Sequence, residues 1–126
     1  MNAPLLLANL ALTVLAMVLA IHAGLRRRRK QHYVFVTTTL VLLFGAIWQA
    51  ELFGRKFDFE GIRLQVHLGF AFGALAALPG VAWSGARLAQ AKSRRLVHRR
   101  WVSAFVLLVL FAVLTAGWMF MTATRK

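Results

Sequence analysis

Residues 5–20 read LLLANLALTVLAMVLA, and only Asn9 and Thr13 among them are polar. Residues 105–120 read FVLLVLFAVLTAGWMF and contain one polar side chain, Thr115. A helix on the surface of a soluble bundle shows a polar face every two turns, and neither stretch can supply one. Both stretches therefore predict helices that are apolar on every side. This is typical of helices in a bilayer and argues against a soluble four-helix bundle.

The same pattern continues along the chain, because charged residues are clustered and long segments separate the clusters. Lys, Arg, Asp and Glu are absent from residues 1–25, 31–50, 64–86 and 101–124. Roughly 20 helical residues cross a hydrocarbon core about 30 Å thick, so each segment can cross once. Lipid cannot satisfy an open backbone, which favours helices. The prediction is an all-α fold, a transmembrane four-helix bundle in a single domain (residues 1–126), with helices at about Pro4–Leu25, Tyr33–Phe53, Leu64–Ala86 and Trp101–Thr122.

Composition excludes several other classes of protein. The 126 residues are 60% hydrophobic, with 16 Lys and Arg against 3 Asp and Glu, a formal charge of +13. A disordered basic tail would be poor in apolar residues. There is no Cys, which excludes disulfides, thiolate metal sites and Cys nucleophiles.

The distribution of positive charge predicts the orientation, because cytoplasmic loops collect Lys and Arg. Two loops on one side hold eleven basic residues, and the other side holds five basic residues with all three acids. Both termini are therefore predicted outside (N-out, C-out) in a bacterial plasma membrane. The first helix is expected to be retained, since the positive charge follows its apolar run instead of preceding it. The eleven inner residues are Arg26, Arg27, Arg28, Arg29, Lys30, Arg87, Lys92, Arg94, Arg95, Arg99 and Arg100.

This division of charge also bears on partners. Basic residues beside membrane helices attract anionic lipid headgroups, so we expect contact with the bilayer surface and no nucleic-acid binding. The third helix carries small residues close to one face, with Pro79 expected to kink it. That face is predicted to pack on another helix of the chain, or less readily in a homo-oligomer. Its small residues are Gly69, Gly73, Ala76, Ala77 and Gly80.

Ionisable side chains within membrane spans are candidates for function. His67 lies about one turn inside the outer interface, with Glu51, Met119 and Met121 at neighbouring helix ends. Imidazole with thioether suits copper(I) or haem iron, and imidazole with carboxylate suits harder divalent ions. These four residues form a candidate metal site. The competing interpretation is that the methionines simply pack.

A second group of histidines lies toward the inner side. His22 ends the first predicted helix, and His32 and His98 begin the second and fourth. Together with His67 they are candidate cofactor-binding residues, because three imidazoles could ligate a metal, or two could hold a b-type haem. The alternative is that His32 and His98, which adjoin Lys and Arg clusters, contact headgroups. The sequence shows no nucleophile–base pair, phosphate loop or close carboxylate pair, so we do not expect an enzyme.

The second half of the chain contains His67-Leu-Gly, Ala77-Leu-Pro79-Gly, Arg94-Arg-Leu-Val-His98-Arg-Arg-Trp101 and Leu114-Thr-Ala-Gly117. With His32 at the start of the second helix, this resembles a domain-of-unknown-function family of small four-helix bacterial membrane proteins. The genes of that family often accompany haem–copper cytochrome oxidases, and one branch is implicated in oxidase maturation. The last helix is also similar to the His…Thr-Gly pattern of small haem-binding cytochrome b-like proteins.

The resemblance implies an accessory or assembly factor of respiratory cytochrome oxidase that contacts haem or copper and oxidase subunits. The alternative from the residues themselves is a structural subunit or packing partner of a larger membrane complex, with no bound cofactor. A small transporter is a third possibility, and its only support is three threonines that could lie along a polar path. These are Thr13, Thr38 and Thr115.

Overall fold

A computed structural model of the chain describes residues 3–90 and 95–126. The chain is predominantly helical, and two short strands, β1 (Phe57–Asp58) and β2 (Thr124–Arg125), form a two-stranded sheet. The predicted all-α chain with four helices is confirmed. The helices are α1 (Ala3–Leu25), α2 (Arg29–Gly54), α3 (Gly61–Gln90) and α4 (Arg95–Met121).

All four helices are long and apolar enough to cross a membrane. Only 28%, 11%, 11% and 17% of their most apolar windows, from α1 to α4, is buried inside the protein. Most of the apolar surface therefore needs a non-aqueous environment, which a bilayer provides. The chain thus has the helices of a multi-pass membrane protein. Its orientation stays a prediction from charge.

Three helices are longer than their predicted membrane spans. α2 begins at Arg29 instead of Tyr33, α3 extends from Gly61 to Gln90, and α4 begins at Arg95 instead of Trp101. The length of a charge-free segment matches the thickness of the hydrocarbon core, not the full length of the helix. Arg, Lys and Gln are good helix formers, so the helix can continue outside the hydrocarbon. The charged flanks therefore continue the helices beyond the apolar spans. Lys92 and Arg94, assigned by their charge to the second basic loop, lie outside the described residues.

The chain divides into two compact units, one of residues up to Phe57 together with Lys126, the other of Asp58–Arg125. In the first, α1 packs on α2, and in the second, α3 packs on α4. We call these antiparallel pairs hairpin 1 (α1 and α2) and hairpin 2 (α3 and α4). The closed end of a hairpin is where its two helices are joined by the short connection, and the open end is the opposite one.

The turn of hairpin 1 closes α1 with a Schellman motif. The Arg28 N–H donates to the Ala23 carbonyl (2.9 Å), and the Arg27 N–H donates to the Gly24 carbonyl (3.1 Å). Arg27 occupies the left-handed position with a φ of 57°. Glycine usually stands there, because a Cβ makes this conformation unfavourable.

Hairpin 2 is held by small residues of α3 that face α4. Ala74 and Ala77 are buried, a Cβ at Gly73 would lie 3.4 Å from Leu108 Cδ2, and one at Gly80 would overlap the indole of Trp101. The prediction that this face packs on another helix of the chain is therefore confirmed at Gly73, Ala77 and Gly80, and the partner is α4.

Other parts of the predicted small-residue face do not take part in this contact. Ala76 is exposed, and a Cβ at Gly69 would meet nothing within 4 Å. The residues of α3 that contact α4 are spaced alternately by three and four residues, as in the seam between two packed helices. Gly69 does not fit this spacing and lies outside the contact. α3 is continuous through Pro79, which is exposed.

Candidate functional site

His32 fixes the closed end of hairpin 1. His32 lies in the first turn of α2, and its ring packs directly on Gly24 of α1. A Cβ added at Gly24 would lie 3.0 Å from the imidazole Nδ1. Its Nδ1 lies 2.7 Å from the carbonyl oxygen of Ala20. A carbonyl can only accept, so Nδ1 is the protonated ring nitrogen and donates this bond. In a neutral ring the lone pair is then on Nε2.

His98 occupies the corresponding position at the closed end of hairpin 2. Its ring lies on Gly85 of α3, where a Cβ would come within 3.1 Å of Cε1. Its Nδ1 is 3.0 Å from the hydroxyl of Ser84, and that hydroxyl donates to the Val81 carbonyl at 3.1 Å. Because the Ser84 proton is used in that bond, the hydroxyl oxygen accepts from His98 Nδ1–H. Ser84 is only 1% exposed, so this chain of polar atoms is held away from lipid.

His67 lies at the open half of hairpin 2, inside the membrane-spanning part of α3. Its Nδ1 is 2.9 Å from the Ala112 carbonyl and 3.2 Å from the Thr115 hydroxyl, both on α4. Thr115 donates its own proton to the Phe111 carbonyl at 2.7 Å. Nδ1–H is therefore shared between two acceptors. The half-buried ring is fixed in orientation, and its neutral form has the lone pair on Nε2.

The other predicted site residues are in different surroundings. His22 is exposed on α1, and Glu51 accepts a hydrogen bond (2.9 Å) from Arg55, the residue that follows the end of α2. Met119 is buried within hairpin 2, whereas Met121 is 80% exposed two residues further on. The two thioethers therefore have opposite exposure, which gives them different roles in packing.

No group of three His, Asp or Glu side chains assembles as a metal site within residues 3–90 and 95–126. The candidate ligands instead occur as single imidazoles, each anchored to the partner helix of its own hairpin. Chemically, such an imidazole can supply one ligand to a metal whose remaining ligands come from elsewhere. It can equally serve as a polar contact between two helices.

Hairpin 1 contains a polar contact that the sequence did not suggest. The Asn9 side-chain amide of α1 lies 2.7 Å from that of Gln49 on α2 (Nδ2 to Oε1), and it packs against Gly45. The buried hydroxyl of Thr13 donates to the backbone carbonyl of Asn9 at 2.8 Å. This places an amide pair toward the open end of hairpin 1, as His67 and Thr115 are placed in hairpin 2.

The threonines named for a transport path make local bonds. Thr13, Thr38 and Thr115 donate to the carbonyls of Asn9, Val34 and Phe111, each four residues earlier in the same helix. This common arrangement satisfies the hydroxyl proton within the helix. The three hydroxyl protons therefore have acceptors within their own helices and do not require water along a transport path.

The open end of hairpin 2 is fixed by an arginine that sequence reasoning assigned only to the charge balance. Arg63 Nη1 donates to the Trp118 carbonyl at 2.9 Å, and its guanidinium stacks 4.7 Å from the Trp118 ring centroid. Its Nε lies 3.2 Å from a Glu60 carboxylate oxygen. The carbonyl is in the last turn of α4, where no helical N–H follows to satisfy it. Arg63 thus caps α4.

The sequence could indicate which histidines begin helices, but not that Gly24 lies under His32 or that Ser84 and Gly85 adjoin His98. It also gave no indication that Asn9 pairs with Gln49. The one sequence feature that could have indicated these contacts is a glycine shortly before each basic cluster, Gly24 before Arg26 and Gly85 before Arg87. Comparisons of the chain with protein-family models, curated proteins and solved structures find no match.

Proposed function

We propose that this chain is a non-enzymatic accessory or assembly protein of a respiratory cytochrome oxidase in a bacterial plasma membrane, where it presents imidazole to haem or copper. The observation that carries the proposal is the hydrogen bond from His67 Nδ1 to the Ala112 carbonyl. Metal-ligating histidines characteristically donate one ring N–H to a carbonyl, which orients the ring and leaves the other nitrogen as ligand.

The donor chemistry of the chain fits haem or copper better than hard cations. His32 shares the pattern of His67, with Nδ1 donating to the Ala20 carbonyl and the lone pair on Nε2 in the neutral ring. Imidazole is a ligand for haem iron and for copper, while the carboxylate of Glu51 is engaged with Arg55. His67 is the leading candidate ligand, and His32 and His98 are the others. A bound haem or copper would supply electron-transfer chemistry, and the protein would supply ligation and orientation.

The assignment to oxidase biogenesis is based on the sequence resemblance. His32, His67 with Pro79, and His98 with Arg99 match the spacing of the family pattern. In that interpretation the single imidazoles need a partner to complete the coordination sphere, and an oxidase subunit is the expected source. This would agree with a role in handing over or positioning a cofactor.

The test is purification in mild detergent, followed by the visible spectrum, metal analysis and titration of the protein with haem and with Cu(I). The key variant is His67→Asn, because the asparagine Nδ2 can replace Nδ1 as donor to the Ala112 carbonyl but offers nothing at the position of Nε2. We expect His67→Asn to keep the thermal stability of hairpin 2 and to lose haem or copper binding.

Thr115→Val is the matched control, since it removes the second acceptor of His67 and leaves the imidazole in place. It should retain binding. If the wild-type protein is metal-free and colourless and takes up neither ligand, the ligand-binding proposal is wrong. The proposal is equally wrong if His67→Asn binds haem or copper as the wild type does.

A structural subunit without cofactor is the second candidate, because the same histidine contacts join the two helices of each hairpin. Its best probe is Gly69→Leu, since a side chain there meets no atom of the chain within 4 Å. If the exposed part of α3 is an interface, this variant should lower the oligomeric mass in detergent and leave hairpin 2 intact. A wild type that is monomeric and an unchanged variant would exclude that role for this face.

A further inference from the structure

A shallow groove lies on the surface of α4 near the closed end of hairpin 2. It is open to the surroundings, has a volume of about 310 Å³, and is lined by Val97, Arg100, Trp101 and Ala104. One wall is rigid, because the Trp101 indole rests directly on Gly80 of α3. The groove thus combines a cationic group, an aromatic wall and a small lining residue, Ala104.

The charge of Arg100 has no acidic counterpart in hairpin 2. Residues 61–126 contain no Asp or Glu, while Arg95, Arg99 and Arg100 follow one another within six positions. Arg100 is exposed at the start of an apolar span. In a bilayer the anions available at this depth are lipid phosphates, which guanidinium binds with paired hydrogen bonds.

An apolar track continues from the groove along the same face of α4. Ala104, Leu107, Phe111 and Leu114 follow Arg100 at intervals of three or four residues and are all exposed. At this spacing they form one stripe about 20 Å long, in the direction of an acyl chain. A molecule with a phosphate at one end and hydrocarbon at the other matches both features.

From this geometry we propose a specific site for one anionic phospholipid on α4, with its phosphate at Arg100 and an acyl chain along Ala104, Leu107 and Phe111. The site is distinct from general attraction of the basic loops to the membrane surface, because it depends on one arginine and on the shape of the groove. It is independent of whether the histidines bind a cofactor.

The test reconstitutes the full chain in phosphatidylcholine nanodiscs that contain a small fraction of phosphatidylglycerol brominated on its acyl chains. Bromine quenches tryptophan fluorescence on contact, so a lipid in the groove quenches Trp101. Brominated phosphatidylcholine at the same fraction gives the background, and Trp101→Phe assigns the share due to this residue. We expect about fivefold preference for phosphatidylglycerol, the effect of about one well-placed cation.

Arg100→Gln should abolish this preference, and its matched control Arg99→Gln, with the same charge change on the adjacent residue, should keep it within about twofold. Ala104→Phe fills the groove without altering charge and should also abolish it. Excess inorganic phosphate should not displace the lipid. Equal losses in both arginine variants, no preference in the wild type, or displacement by free phosphate would each overturn the proposal.

Discussion

Hairpin 1 and hairpin 2 use the same device at their closed ends and different ones at their open ends. At each closed end an imidazole near the start of the second helix lies on a glycine of the first, His32 on Gly24 and His98 on Gly85. Toward the open ends, hairpin 1 has an amide pair, Asn9 and Gln49, where hairpin 2 has His67 bonded to Ala112. Among the three histidines that bond to the partner helix of their own hairpin, His67 is therefore the one without an equivalent in the other hairpin.

The amide pair and the imidazole both join two helices, but only the imidazole can also bind a metal. An amide pair holds α1 to α2 and offers no lone pair suited to a transition metal. An imidazole in the same role holds α3 to α4 and can still ligate through its second nitrogen. Hairpin 2 is therefore where the proposed cofactor contact belongs.

The largest expected effect concerns the glycines that let α4 approach α3. Gly80→Ala should destabilise hairpin 2 by about 1–3 kcal/mol, because its Cβ overlaps the Trp101 indole and the ring has to move. SDS-induced unfolding in mixed micelles measures this change.

Gly69→Ala is the control in the same helix. A Cβ there meets no atom within 4 Å, so the substitution should stabilise by up to about 1 kcal/mol through helix propensity. Equal effects of the two variants would show that α3 does not approach α4 closely at Gly80.

The next prediction tests whether the amide pair of hairpin 1 acts as a unit. Asn9→Leu and Gln49→Leu should each cost about 1 kcal/mol, because either change leaves the remaining amide without its partner in an apolar environment. The double variant should cost less than the sum of the single ones, which is the signature of a direct contact. Measuring the unfolding free energies of the wild type, both single variants and the double variant in bicelles completes this double-mutant cycle. Strictly additive effects would contradict a direct contact between the two amides.

An equal or smaller effect is expected from the arginines at the two open ends. Arg63→Gln should cost about 1 kcal/mol, because its side chain is only 21% exposed and it loses the Trp118 carbonyl, the indole stack and Glu60. Arg55→Gln should cost at most about 0.5 kcal/mol, since its pair with Glu51 is 69% and 60% exposed. Thermal unfolding at low and high salt ranks the two variants, and a larger loss for Arg55→Gln would contradict the comparison.

A further small effect is expected to be stabilising. Arg27→Gly should stabilise hairpin 1 by about 0.5–1 kcal/mol, because glycine adopts the left-handed conformation without Cβ strain. Arg28→Gly is the control, since Arg28 has an ordinary φ of −87° and gains nothing. A destabilised Arg27→Gly protein would mean that the positive charge beside the end of α1 outweighs the strain.

The number of helices could be predicted from sequence because charge in lipid is costly, and the charge-free segments therefore reveal each span. The helix ends could not, as Arg29 and Arg95 show, since a helix does not stop where the hydrocarbon stops. The partner of each histidine depends on the rotation of one helix against the next. Gly24 and His32 are 8 residues apart and Gly85 and His98 are 13 apart, so no common spacing marks the contact.

The pairing of consecutive helices has a consequence for biosynthesis. α1 packs on α2 and α3 packs on α4, so every helix finds its partner in the next or preceding segment of the chain. Hairpin 1 can complete its packing while the ribosome is still making α3, and its contacts close over short stretches of sequence. The membrane insertion machinery therefore receives two helix pairs in succession. Each pair makes its polar contacts between helices within itself, without a side chain of the other pair.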